Sequence, residues 1–194
     1  MIYLDYTANT PADPDVLGAY LAAERRYIAN PNSTHIAGQE ARAEMERVTQ
    51  SIAQHLGVQP AEIIYTSGAS EANNLALKGM ARAARHVGRH IISTPLEHSS
   101  VGATLTALQQ QGYEIDLLDI GRDGRVDLDQ LRELMRDDTI LVAVCAVDSE
   151  LGTIQPIREM AKATRRYAEG DFDIRMNDYG RDDELGELAA SARI

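Results

Sequence analysis

Two stretches of this 194-residue chain gather side chains that can hold an anion or handle a proton. The first is Ser67-Gly68-Ala69-Ser70, between the apolar run at 62–66 and the alanine- and leucine-rich pattern that follows. A strand that passes through small residues directly into a helix leaves backbone N–H groups unpaired at the helix N-terminus. With the positive end of the helix dipole, those groups suit an anion, phosphate above all. Gly68 permits close backbone approach, and Ser67 and Ser70 add hydroxyl donors. The competing reading is an ordinary serine cap beside a turn glycine. The second stretch is Glu97-His98-Ser99-Ser100, after the apolar run at 89–94. His98 either caps the following helix or faces a ligand, because open α/β sheets bind ligands beyond the C-terminal ends of their strands. Other reactive groups are few. The lysines are Lys78 and Lys162, and the single cysteine, Cys145, lies within an apolar run at 139–147 where a thiol behaves as a small hydrophobe.

The elements that must position these groups alternate along the first two-thirds of the chain. Strands are expected at 2–6, 62–66, 89–94, 113–120 and 139–147. Helices are expected at 13–28, with Pro14 just inside the start, and at 37–57, ending on Gly57. Further helices are expected at 69–85, 99–110 and 128–135. Strands separated by such helices imply βαβ units and a doubly wound, mainly parallel sheet. After about residue 155 the pattern stops. Two helical segments and no convincing strand follow, with eight carboxylates against three arginines after Tyr167. The α/β unit therefore reads as partial, with a short acidic helical tail.

Composition bounds the class. The chain is 44% hydrophobic and 25% charged, near the globular average. A net charge of −11 argues against a nucleic-acid surface. No apolar run approaches the roughly 20 residues of a membrane span, and the N-terminus lacks a signal pattern. With one cysteine, no internal disulfide can form. A cytoplasmic protein is the expectation, with neither membrane nor nucleic acid as partner.

Five segments in order, YLDYTANTPADPDV, NPNSTHIAGQEAR, YTSGASEANNLALKG, STPLEHSSV and AVDSELGTIQPI, resemble cysteine desulfurases, pyridoxal-phosphate enzymes of the class V aminotransferase family. The resemblance covers residue 1 to about 157. It implies a transferase that takes sulfur from L-cysteine, releases alanine and serves iron–sulfur cluster assembly, as a homodimer with a sulfur-acceptor protein. It also implies cofactor-binding roles for Ala69 and Ser70 at the phosphate, His98 stacked on the pyridine ring, and Ser149. Ser149 stands where the family carries an asparagine that reaches the ring oxygen.

Other family parts have no counterpart. The Schiff-base lysine follows a histidine late in the family, and neither Lys78 nor Lys162 matches it. The aspartate on the pyridine nitrogen has no convincing match in Asp173. The family's sulfur-accepting cysteine lies on a late loop, unlike Cys145, and its substrate-binding arginine also comes late. No catalytic residue is therefore assigned, and whether the chain is an enzyme stays open. An incomplete portion, inactive alone, is the leading reading.

The tail, from about Pro156 to Ser191, resembles a HAMP domain, with DDELGELAAS opening a second helix. The expected organisation is a cofactor-fold portion at 1–157 and a HAMP-like or appended tail at 158–194. A natural truncation, a fusion product and an artificial chimera all fit. So does a non-catalytic helical dimerisation or signalling module, with Ile157, Met160, Ala161 and Thr164 as its weak apolar stripe. A third reading is a chain unstable by itself, because half a parallel sheet exposes an apolar edge. The expected behaviour is that the helix at 157–167 docks on the sheet while residues 170–194 stay apart, with protease cutting first between Glu169 and Asp183.

Overall fold

The structure is a computed structural model that describes residues 2–168. The chain divides into two units, 1–64 and 65–194. In the first, helix α1 (Pro14–Arg26) starts where the sequence signals it. Asp13 accepts hydrogen bonds from the amides of Asp15 and Val16, and Pro14 takes the first turn, where its missing N–H costs nothing. No residue of α1 is buried, although Val16, Leu17, Tyr20 and Leu21 recur at helical spacing. Helix α2 (Ile36–Leu56) is capped by His35, whose Nδ1 accepts the Gly38 amide, and it ends on Gly57 at φ 59°. That left-handed conformation suits glycine and closes the helix as expected. Gly38 also fixes where α2 starts, since a β-carbon there would lie 2.6 Å from the Ser33 carbonyl oxygen.

The second unit contains helix α3 (Ala69–Ala83), strand β1 (His90–Ser93), helix α4 (Ser99–Gln109), strand β2 (Glu114–Leu117), helix α5 (Leu128–Leu134), strand β3 (Thr139–Val142) and helix α6 (Ile157–Ala168). The strands form one sheet in the order β2-β1-β3, both pairs parallel. Successive residues of a strand face opposite sides, and β1 uses both. Ile92 packs into one cluster with Leu118, Val126, Leu131, Met160 and Ala163, and Ile91 into another with Ala81, Leu105, Leu108 and Tyr113. The architecture is the expected α/β one, with helices packed on both sheet faces.

Two expected strands are absent. Residues 2–6 and 63–66 follow no strand path, the first running into a turn and the second leaving a 3-10 turn at Pro60–Glu62. A strand is stabilised by its ladder of partners, and among the described residues neither segment has one. The outer two expected strands also shorten, to Glu114–Leu117 and Thr139–Val142, because each pairs only along β1. The final helix docks as expected, with Met160, Ala161, Ala163 and Thr164 buried. The expectations for the tail beyond residue 168 lie outside the described residues.

Candidate functional site

From β1 the chain passes through α4 to β2 on one side of β1, and from β2 through α5 to β3 on the other. The loops leaving β1 and β3 therefore diverge at a topological switch point, where open sheets of this kind take ligands. Glu97 and His98 leave β1, and Cys145 to Ser149 leave β3.

The two loops are joined. Glu97 Oε1 accepts hydrogen bonds from the Thr94 hydroxyl at 2.9 Å and from the Cys145 amide at 2.8 Å. Deeper in, the Ser93 hydroxyl donates to the Ala143 carbonyl at 2.8 Å. Cys145 is half-buried. Burial, then the charges of Glu97 and Asp148 and the Glu97 hydrogen bond, push its thiol up to about 11. The thiol is therefore protonated at neutral pH, with little thiolate to act as nucleophile.

His98 caps α4. Its Nδ1 accepts the Ser100 amide at 3.1 Å and lies 2.8 Å from the Ser100 hydroxyl. The Ser100 Oγ in turn accepts from Asn73 Nδ2 at 2.9 Å. Asn73 sits about one turn into α3, four residues after Ala69, so this chain of bonds ties His98 to the helix that begins with Ala69 and Ser70.

That helix begins without a side-chain cap. Ala69 and Ser70 are exposed, and a β-carbon at Gly68 would meet nothing within 4 Å. Glu71 folds back so that Oε2 accepts the Ser67 hydroxyl at 2.6 Å and the Ser67 amide at 2.7 Å. Those two bonds hold its carboxyl below the usual carboxylate range. The expected hydroxyl of Ser67 is thus engaged inward, whereas Gly68, at the cap of α3, makes no side-chain cap bond to the first turn.

Ser149 is exposed at the tip of a tight turn. Asp148 is buried beneath it and accepts the amides of Glu150 and Leu151 at 3.1 and 2.5 Å, and Gly152 closes the turn at φ 68°. No hydrogen bond joins Ser149 to His98 or to the α3 turn. The structure links Ala69, Ser70 and His98 through Asn73 and Ser100, and reaches Ser149 only through the Glu97–Cys145 contact on its own loop. Sequence reasoning missed Asn73, Glu97 and Ser100. The signal available was their position beside the assigned residues, but only tertiary contact gives it meaning.

Both lysines are exposed. Lys78 Nζ donates to Asn74 Oδ1 at 2.6 Å, further along α3 than the turn at 67–70. Among the described residues no group of histidine, cysteine and carboxylate side chains could hold a metal ion, and no helix is long and apolar enough to cross a membrane. An open groove of about 810 Å³ in the first unit, lined by Pro31, Arg42, Glu46 and Gln50 among others, contains none of the assigned residues.

The profile of the class-V aminotransferase family matches residues 2–170, and that of the HAMP domain matches residues 151–191. The chain is 40% identical over 166 residues to cysteine desulfurase IscS of Dictyoglomus turgidum, covering 86% of this chain and 42% of that protein. It is 42% identical over 162 residues to cysteine desulfurase of Homo sapiens, covering 83% of this chain and 35% of that protein. Among solved structures it resembles a NifS-like protein with a TM-score of 0.82 at 36% identity, covering 87% of this chain and 46% of the other. It also resembles SspA in complex with cysteine, with a TM-score of 0.77 at 34% identity, covering 86% and 48%. The chain thus spans about two fifths of the length of the curated relatives it matches.

Proposed function

The chain belongs to the class-V aminotransferase family, and we propose that it is the cofactor-cradling portion of a cysteine desulfurase. In this reading it offers a site for pyridoxal phosphate but does not turn over L-cysteine alone. The observation that carries it is the bonded path from Asn73 on α3 through Ser100 to His98, which joins an uncapped helix N-terminus to a histidine at the switch point.

The residues fit non-covalent holding of the cofactor. The amides of Ala69 and Ser70 would take its phosphate, helped by the Ser70 hydroxyl and the helix dipole. His98 would lie against its ring, and Ser149 would offer a hydroxyl to the ring oxygen. Bound pyridoxal phosphate supplies an electron sink for bond breaking at an amino acid's α-carbon. The residues do not fit covalent attachment, because Lys78 and Lys162 both face outward. Cys145, protonated and half-buried, is no sulfur acceptor. A homodimer, a separate sulfur-acceptor protein, a role in iron–sulfur cluster assembly and a cytoplasmic location complete the proposal, as the family resemblance of the sequence implies them.

The proposed HAMP-like or appended tail remains 158–194, although α6 at its start belongs to the core cluster of the second unit. The HAMP match favours a second reading, a helical dimerisation module. That reading needs the apolar face of α6, and Met160 and Ala163 already bury it. Titrating the purified chain with pyridoxal phosphate tests the proposal by absorbance. Saturable binding without the spectral change of covalent attachment is expected, and no binding at millimolar cofactor refutes the cradle.

A further inference from the structure

Histidine rings that serve a ligand must present one nitrogen and one face consistently, and something else must hold the other nitrogen. In this chain the holder is visible. The Ser100 amide can only donate, so at 3.1 Å from Nδ1 it makes that nitrogen an acceptor and leaves the ring proton on Nε2. The Ser100 hydroxyl, 2.8 Å from the same nitrogen, accepts from Asn73 Nδ2 and so has its own proton free to donate. Bond directions run one way: Asn73 to Ser100 to His98. The other end of α3 is fixed independently, by the buried Tyr113 hydroxyl donating to the Ala81 carbonyl at 2.8 Å. Ala81 lies eight residues beyond Asn73, a rise of about 12 Å, so α3 is held at two separated points.

We propose that Ser100 is a positioning residue that sets the proton location and ring orientation of His98 and couples them to α3 through Asn73. This rests on the reading of His98 as the ring-facing residue. Ser100 touches neither cofactor nor substrate and acts through the histidine. Its half-buried place between α3 and α4, beside an exposed His98, is the arrangement such a role needs.

The test uses the full chain with ¹⁵N-labelled histidine at about pH 8.5, where an ordinary imidazole is neutral. Nitrogen–proton couplings report the tautomer of His98 without any ligand. The unmodified chain is expected to show the Nε2–H form in excess. Ser100→Ala keeps the backbone amide on Nδ1 and removes only the hydroxyl, so it should reduce the ratio of Nε2–H to Nδ1–H about five-fold, the worth of one hydrogen bond, with Nε2–H still favoured. Ser100→Thr, which keeps the hydroxyl, should restore it, and Asn73→Ala should give a smaller loss. An unchanged ratio in Ser100→Ala overturns the proposal. If that variant does not fold, an unchanged ratio in Asn73→Ala does so. Pyridoxine 5′-phosphate, which lacks the aldehyde, is the second probe. Its affinity should fall about five-fold in Ser100→Ala and recover in Ser100→Thr. A tautomer change with no change in measurable affinity reduces Ser100 to a helix cap and overturns the positioning role. Absence of any binding by the unmodified chain refutes the cofactor reading instead, and the tautomer result then decides the role of Ser100.

Discussion

Glu97 accepts the backbone amide of Cys145 at 2.8 Å, so a carboxylate from the β1 loop fastens the chain leaving β3. The contact joins the two sides of the switch point, and it adds to the burial that shapes the chain's single cysteine. Burial and the neighbouring Glu97 and Asp148 charges raise the thiol from 9.0 to about 11. Each raised unit removes a factor of ten in thiolate at neutral pH. Alkylation of Cys145 at pH 8 should therefore run about 100-fold slower than that of an unperturbed thiol. Glu97→Gln removes the charge that ranks next after burial, so the thiol pKa should fall and the rate rise several-fold while burial still restrains it. A rate equal to that of a free thiol in the unmodified chain would contradict the assignment.

At the turn before α3, Gly68 has open space where a β-carbon would go. Its φ of 163° is extended backbone. Gly68→Ala should consequently keep the fold and retain phosphate or cofactor affinity within about three-fold. Gly68→Asp places a negative charge at an uncapped helix N-terminus, where it competes with the anion for the same amides. Binding of pyridoxal phosphate, read by equilibrium dialysis, should be lost in that variant. Equal affinity in Gly68→Asp would remove the anion site from this turn.

Neither lysine is placed to carry the cofactor. Treating the chain with pyridoxal phosphate and borohydride should give only scattered, substoichiometric labelling of Lys78 and Lys162. A single stoichiometric adduct by mass analysis would overturn the non-covalent reading.

The docking of α6 has a direct energetic test. Met160 is 4% exposed and packs with Ile92, Leu118 and Leu131. Met160→Ala should destabilise the second unit by about 2–5 kcal/mol, the usual range for emptying a buried methionine site. Glu159, on the exposed side of the same helix, should tolerate alanine within about 0.5 kcal/mol. Thermal unfolding followed by circular dichroism separates the two. If Met160→Ala changed only the oligomeric state and left the melting temperature alone, the helix would belong to a HAMP-like bundle.

What the sequence determined by itself was local. Helix starts and stops at Pro14, His98 and Gly57 follow from caps, proline and glycine, whose physics acts within a few residues. Strand β1 was legible as an apolar run between helices, whereas the clusters around Ile91 and Ile92 came only with the packing; ordered motifs carried the family resemblance across residues 1–157. Strand identity at 2–6 and 62–66 was not legible, because β-propensity describes a surface that still needs a partner beside it. The candidate site divides in the same way. Gly68, Ser70 and His98 stand out as residue types beside turns and helix starts, while Ala69 and Ser149 were named only through the family resemblance. The bonds from Asn73 through Ser100 to His98, and from Glu97 to Cys145, span 27 and 48 residues of sequence. Only the packing of α3 on α4 and of β3 beside β1 brings those partners together. No local pattern encodes which distant donor a side chain will meet.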